Sequence, residues 1–396
     1  MGIQHNLDDI QRNLAAIHVD GWLIYDFRRS NRFAQEVLQI PKNRHLSRRF
    51  FYWIPVEGSP VKLVHSIESH VLDHLPGDVL TYSTWSALSL LLQSLLSKVA
   101  TVAMEFSPNC DIPYISVVDG GTVDLVRNCG VTVVSSGDFL QKYSATLNEF
   151  QIQSHKEAAD FLDATVEKAW ELIRSSIRDQ KNINEYLVQQ YILNEFEFHG
   201  YMTSDPPICA VNEHSADPHY MPTENFCKEI SLGDFVLIDL WCKSRESVAV
   251  YGDITRVGVV ASRPSDEQKK IFDIVKNARE AAIHLVKARF ADEERLEGWE
   301  VDQAARDVIT AAGFEEYFIH RTGHNIGIET HGDGANMDNY ETCDRRQVLS
   351  STCFSIEPGI YLPGKFGVRL ECDVVVDATG RVIVTGGEQQ NIEILV

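Results

Sequence analysis

Four acidic residues stand at the ends of apolar runs, in two matched pairs. Phe235-Val-Leu-Ile-Asp239 is followed by Tyr251-Gly-Asp253-Ile-Thr255, and Cys353-Phe-Ser-Ile-Glu357 by Val368-Arg-Leu-Glu371-Cys-Asp373. Asp253 follows Asp239 by 14 positions, and Glu371 follows Glu357 by the same 14. The midpoints are turn-type stretches: Glu246 in Lys243-Ser-Arg-Glu-Ser247 and Gly364 in Pro363-Gly-Lys365. Each segment therefore reads as a β-hairpin. Residues equidistant from such a turn face each other on one side of the ladder, so Asp239 is expected opposite Asp253 and Glu357 opposite Glu371. Opposed carboxylates repel. A shared proton relieves the repulsion, and so does a cation; four carboxylates match the charge of two divalent ions.

Between the hairpins lies Phe318-Ile-His320-Arg-Thr-Gly-His324-Asn-Ile-Gly327-Ile-Glu-Thr-His331, with three histidines in 12 residues. Its glycines let backbone approach a ligand closely. Mixed oxygen and imidazole donors suit Mn, Co, Fe or Zn better than the all-oxygen cages of Ca. Taken singly, a strand Asp is more often a turn or cap residue, and a histidine more often a satisfied core or surface group. His199, His284 and the trio His65, His70 and His74 read that way, and Asp217, Glu329 and Asp373 read as solvated or capping acids. Two matched acid pairs together with the Gly/His segment point instead to a metal site.

The elements that must position these residues alternate between helix and strand. Apolar residues at helical spacing place helices at 5–18, 85–97, 149–178, 184–198, 265–289 and 299–312. Short apolar runs place strands at 21–25, 50–54, 61–64, 99–105, 131–134, 206–212, 234–242, 250–261, 353–361, 366–377 and 382–385. This alternation is an α/β (α+β) pattern, and the long helix at 149 marks the expected domain boundary. The first part carries neither GxGxxG nor GxxxxGK[ST].

Composition narrows the partners. The chain has 396 residues and a net charge of −21, which argues against nucleic acid and against an anionic membrane surface. Its eight cysteines are scattered with no CxxC, which reads as reduced thiols in a cytoplasmic protein. The N-terminus shows no signal-peptide pattern, and the apolar stretch Leu88 to Met104 is too broken by polar residues for a membrane span.

The motifs resemble the pita-bread metallopeptidases, in the Xaa-Pro aminopeptidase and prolidase branch. The matching residues are Ile-Asp239-Leu, Asp253-Ile-Thr-Arg, Thr-Gly-His324-Asn-Ile-Gly, Ser-Ile-Glu357-Pro-Gly-Ile-Tyr and Gly-Val-Arg-Leu-Glu371, in that order. Val211-Asn-Glu-His-Ser-Ala-Asp-Pro-His219-Tyr resembles the strand that carries the branch's substrate-side histidine.

The resemblance implies a creatinase-like N-terminal α/β domain over 1–145. Over 146–396 it implies a catalytic pita-bread domain built from pseudo-twofold αβ halves. It implies two divalent metal ions, manganese first, with Asp239 on one, Asp253 and Glu371 bridging, and His324 and Glu357 completing the other. The implied activity is hydrolysis of Xaa-Pro peptides by a metal-bridging hydroxide, in a homodimer. Glu357 would shuttle the proton, while His219 and His331 contact the substrate. His320, Arg369 and Thr255 would support the ligands; Arg369 and Thr255 each sit two residues from an acidic ligand, on its strand face.

Three departures accompany the resemblance: Asn325 where the family has Gly, Gly332 where it often has Glu, and a longer first hairpin. The first two are expected to alter the pocket wall. The competing readings are a creatinase-like amidinohydrolase that works without metal and a non-catalytic pita-bread binding module. Retention of all five ligand types counts against both.

Overall fold

The computed structural model describes residues 7–396. Two compact units divide the chain, one ending at Ser144 and the other running Ala145–Val396.

The first unit is a six-stranded mixed sheet with strands β1 (Gly21–Asp26), β2 (Phe50–Pro55), β3 (Val61–His65), β4 (Asp78–Tyr82), β5 (Thr101–Met104) and β6 (Thr132–Ser135). Their order is β4-β3-β2-β1-β5-β6. Its helices are α1 (Leu7–Ala16), α2 (Arg32–Val37), α3 (Trp85–Leu95), α4 (Gly120–Arg127) and α5 (Gly137–Ser144). Alternation along β1 sends Trp22 and Ile24 into one core, with Ile10, Phe33 and Phe139, and Leu23 and Tyr25 into the other, with Leu88, Leu92 and Val126. The start of the helix expected at 5–18 lies outside the described residues. Helices α2, α4 and α5 have no counterpart among the expected elements.

In the second unit, α6 (Glu149–Arg178) opens with Asn148 in a capping box with Gln151. It packs with α7 (Glu185–His199), which ends on Gly200 in the left-handed conformation that glycine adopts without strain. Strands β7 (Tyr201–Met202), β8 (Ile208–Val211), β9 (Phe235–Ser244) and β10 (Gly252–Val259) follow. Along β9, Val236, Ile238, Leu240 and Cys242 face α6 and α7 beside Leu162, Trp170 and Val188, in one core with Ile254 of β10. The strand period of two therefore turns Asp239, Asp253 and Thr255 to the opposite face.

The second half repeats the plan. Helices α8 (Asp266–Ala291) and α9 (Gly298–Ala311) cover a sheet whose strands include β12 (Thr352–Ile356) and β15 (Cys372–Val376), with β11 (Asn325–Ile326) and β16 (Val382–Thr385) at its edges. Between β12 and β15 in the chain lies the ribbon β13 (Gly359–Leu362) and β14 (Phe366–Arg369). A last strand, β17 (Glu393–Ile394), pairs with β10. Phe354, Ile356, Cys372, Val374 and Val376 join the α8–α9 core, so Ser355 and Asp373 face the other way. Among the described residues no helix is long and apolar enough to cross a membrane.

Two expectations about strands need correction. Asp239 pairs with Thr255, and Asp253 with Trp241, so the two aspartates share a face diagonally and are not directly opposed. The ladder is centred on Ser247, because neighbours and not the turn set its register: Lys243 and Ser244 pair with β7, and the Tyr251 N–H bonds the Gly327 carbonyl.

The runs 353–361 and 366–377 are each broken, at 357–358 and 370–371. Pro358 has no N–H to give a ladder. Glu357 donates its N–H to the Thr322 carbonyl at 2.7 Å, and Glu371 turns its own towards the Thr255 carbonyl at 3.4 Å. Ile356 pairs with Cys372 and Gly359 with Arg369, one register on both sides of the break, so Glu357 and Glu371 do stand opposite each other in the gap.

The alternation on β9 makes a test. Ile238→Ala empties the face turned to α6 and α7 and should cost about 2–5 kcal/mol in urea unfolding. Metal affinity of the folded protein should stay unchanged, because Asp239 lies on the other face.

Candidate metal centre

The face of β9 and β10 that carries Asp239, Asp253 and Thr255 meets the gap that carries Glu357 and Glu371. Backbone bonds join the pieces: Glu371 to Thr255, Glu357 to Thr322, and Ser355 N–H to the His324 carbonyl at 2.9 Å. The His324 N–H in turn donates to Ser355 Oγ at 3.0 Å. Single ligand atoms of Asp253, His324 and Glu371 lie within 4.8 Å of one another. His324 Nε2 lies 3.7 Å from Asp253 and 3.5 Å from Glu357.

Four acids share this pocket: Asp239, Asp253 and Glu371 are buried, and the Glu357 side chain is 14% exposed. Desolvation, with Glu371 and Asp239 close by, holds Asp253 well above the usual carboxylate range. Desolvation and Glu357 raise Glu371 in the same way. Burial pushes Glu357 up to about 7 against the pull of Arg369. Asp239 is raised by burial and pulled back by Arg369, whose Nη2 bonds its Oδ2. His324 is driven well below its ordinary value by burial and then by His331, so it presents the neutral imidazole that ligates metals.

Thr255 sits among these groups. Its hydroxyl lies 3.0 Å from Asp239 Oδ1 and 2.6 Å from Glu371 Oε2, and accepts from Arg369 Nε at 3.0 Å. One hydroxyl proton cannot serve two carboxylates fully.

This set fits divalent cations. The donors are carboxylate oxygens and a neutral imidazole. Among the four acids one guanidinium is bonded, Arg369, with Arg321 acting on Glu357 from the cavity wall, and a cation relieves the negative charge that remains. Asp373, expected as a solvated or capping acid, adds to that excess. It is fully buried, its Oδ2 accepts the Asp253 N–H at 2.9 Å, and its Oδ1 has no partner.

A cavity of about 740 Å³ opens over the acids, and His219, His320, Arg321 and His331 are among its lining residues. His331 stands edge-on to His324, with ring centroids 4.4 Å apart. His219 is exposed on the loop after β8, its N–H bonded to Asp217 at 3.0 Å.

His320 bonds to Tyr361 and to the backbone, not to the acids, and ends a relay. Arg369 Nη1 donates to the Tyr361 hydroxyl at 3.2 Å, the hydroxyl lies 2.7 Å from His320 Nε2, and His320 Nδ1 lies 2.7 Å from the Arg321 carbonyl. A carbonyl only accepts, so Nδ1 carries the proton and Tyr361 donates to Nε2. Burial, then Arg369, lowers the His320 pKa to about 3, so this ring stays neutral.

Asn325 and Gly332, expected in the pocket wall, are absent from it. Asn325 is buried with its amide turned to the Cys353 carbonyl and the Gly334 N–H.

Sequence reasoning missed three residues. Tyr361 was visible as the fourth residue after Glu357 but read equally well as core. Trp241 lines the cavity from the acidic face of β9 and is the direct strand partner of Asp253. Glu185, fully buried on α7, accepts from the Val211 N–H, the Lys228 N–H, the Tyr220 hydroxyl and His214, and so folds the loop that carries His219. Only its place after the capping Asn184 marked it in the sequence.

Residues 153–378 match metallopeptidase family M24. The chain belongs to metallopeptidase family M24, and is a hydrolase on the pita-bread fold. An uncharacterized peptidase of Staphylococcus saprophyticus is 29% identical over 262 residues, covering 65% of this chain and 68% of that one. Among solved structures, the prolidase of Thermococcus sibiricus superposes with a TM-score of 0.62 at 24% identity over 100% of both chains. The dipeptidase PepE of Mycobacterium ulcerans gives 0.69 at 21% identity, over 99% of this chain and 97% of that one. A Caenorhabditis elegans X-prolyl aminopeptidase, described as cytosolic with a di-nuclear active site, gives 0.61 at 17% identity over 97% of this chain and 62% of that one. At these identities the structural likeness is one of fold.

The raised carboxylates imply a pH dependence. Without metal they hold protons more tightly folded than unfolded. Their stability contribution is full below about pH 4.5, the ordinary glutamate value, and is lost as pH rises through about 7 for Glu357. Urea unfolding of the chelated protein should therefore show a loss of stability between pH 5 and pH 8 that excess manganese flattens. Asp253→Asn should stabilise the chelated protein at pH 8 by on the order of 1–2 kcal/mol. An unchanged or lower midpoint in that variant would contradict the electrostatic account.

Proposed function

We propose that this chain is a two-metal exopeptidase that cleaves Xaa-Pro bonds, as an Xaa-Pro aminopeptidase or Xaa-Pro dipeptidase. The observation that carries the reading is the convergence of Asp239, Asp253, Glu357 and Glu371 with a neutral His324 under one cavity, in a chain of metallopeptidase family M24. Those five residues would hold the two ions, with Asp253 and Glu371 shared between them. Divalent ions there supply Lewis acidity at the scissile carbonyl and acidify a water towards neutrality.

The chain's own groups then have distinct work. Glu357 would hold a metal and also lines the cavity, so its carboxylate is placed to accept a proton and return it to the leaving nitrogen. His219 and His331 line the cavity; one would donate to the carbonyl oxygen as it gains charge, the other would contact the scissile amide or the P1′ ring. Arg369 holds Asp239, and Thr255 holds Asp239 and Glu371, so the acids keep their spacing while protons move. An Xaa-Pro bond is a tertiary amide with no N–H. Ile208, Met221, Trp241 and Ile319 give the cavity an apolar side that suits a pyrrolidine ring and asks for no such donor.

The second unit is the catalytic domain in this reading, and the first is a creatinase-like appendage. Manganese is the first metal, ahead of cobalt, zinc and iron. A reducing, cytoplasmic location accords with eight free cysteines. The homodimer rests on the resemblance of the motifs.

Metal analysis and a peptide panel test the proposal. Chelation should abolish cleavage, and manganese or cobalt should restore it. Xaa-Pro and Xaa-Pro-Yaa should be cut at least tenfold faster than Xaa-Ala, about the discrimination that one pocket gives. His331→Ala should lower kcat/KM by about 100-fold or more while metal content is retained. Turnover that survives chelation points to the amidinohydrolase alternative. A folded protein that binds no metal and cuts nothing points to the binding-module alternative.

A further inference from the structure

Asn325 directly follows His324 and is 2% exposed. Every polar group it has is engaged. Its N–H donates to Asn336 Oδ1 at 3.0 Å, and its carbonyl accepts the Gly332 N–H at 2.7 Å. Its Oδ1 accepts the Gly334 N–H at 2.9 Å, and its Nδ2 donates to the Cys353 carbonyl of β12 at 2.9 Å. One side chain thus bridges the loop 332–334 to the strand that leads into Glu357.

The space it fills explains two glycines. A Cβ on Gly332 would lie 2.3 Å from Asn325 Oδ1, and one on Gly334 would lie 2.6 Å from its Nδ2. Neither glycine has a left-handed backbone, so their bare Cα atoms leave room for the amide. His331 immediately precedes Gly332 and stands 4.4 Å from the His324 ring.

We propose that Asn325 is a positioning residue for His331: its amide, seated where the side chains of residues 332 and 334 would be, fixes the histidine loop against β12 and so sets the spacing of His324 and His331. The effect on catalysis rests on the proposed role of His331; the clamp itself does not. The neutral amide offers the acceptor for Gly334 and the donor for Cys353 on two separate atoms of one side chain. Loss of either bond leaves a buried backbone group unsatisfied, and a displacement of one ångström at a catalytic group is enough to cost much of its rate.

A mutational cycle read three ways tests this. Asn325→Ala should lower kcat on an Xaa-Pro dipeptide at least tenfold, with manganese affinity by calorimetry and KM unchanged. That loss should vanish in a His331→Ala background. Gly332→Ala should lower the unfolding temperature and kcat in the native background, but should be tolerated once Asn325→Ala has removed the amide. If Asn325→Ala does not fold, Gly332→Ala and Gly334→Ala with the amide intact should give the same fall in kcat at constant manganese affinity.

An equal kcat loss with and without His331 overturns the positioning role. Additive effects of Gly332→Ala and Asn325→Ala on unfolding temperature overturn the clamp. Failure of the proposed function looks different: the unmutated protein itself would bind no manganese or cut no peptide, and the unfolding cycle would still read the clamp.

Discussion

Repulsion among four buried carboxylates is the constraint around which the second unit is organised. In water such groups ionise independently, but at the floor of this cavity burial raises the pKa of each, and the neighbouring acids raise Asp253 and Glu371 further. Arg369 and the hydroxyls of Thr255 and Ser355 hold them together, the last donating to Glu357 Oε1 at 3.1 Å. One bonded guanidinium and two hydroxyl protons leave an excess that bound cations or protons must meet. The same arrangement that burdens the empty fold is what makes the site avid for divalent metal, and Asp373 with its unpartnered oxygen deepens the potential from behind.

Bringing the acids together is a task for the backbone. In the second hairpin the ladder opens at Glu357 and Glu371, and each residue's N–H goes to a different neighbour, Thr322 and Thr255 respectively. Those two bonds join the histidine segment and the first hairpin to the gap. Apolar packing supplies the rigidity behind it: α6 and α7 back the β9–β10 face, α8 and α9 back β12 and β15, and the acidic faces are left to meet. Glu185 does for the His219 loop what Asn325 does for the His331 loop. Each is a buried polar group that engages several backbone groups and so shapes a loop that hydrophobic packing alone would leave loose.

The histidines divide by environment. Burial keeps His320 and His324 neutral, the state in which an imidazole can accept from Tyr361 or ligate a metal. His331 is lowered by burial and by Arg321, whereas His219 sits exposed at the cavity rim. The Arg369–Tyr361–His320 relay ties the wall of the cavity to the acid Asp239.

Much of this was legible beforehand. The long helices were readable because their apolar period is local: the run 149–178 coincides with α6 from end to end. The second hairpin's register followed from its turn at Gly364, because that turn is short and closes on itself. The first hairpin's did not, because β7 and the Gly327 segment compete for the ends of its strands. Short helices such as α2, of six residues, and α4, of eight, escaped because about two turns carry too little periodic pattern.

Residue types and their order determined the demand for charge balance: four carboxylates beside a Gly/His segment on apolar strands call for cations or shared protons. Only the tertiary structure decided how that chemistry is held. Asp239 faces Thr255 and not Asp253, Asp373 is buried and not solvated, and Asn325 clamps a loop and does not line a wall. Each of these depends on which distant group takes a backbone hydrogen bond or a void, and that is a property of the packed chain that no local spacing encodes.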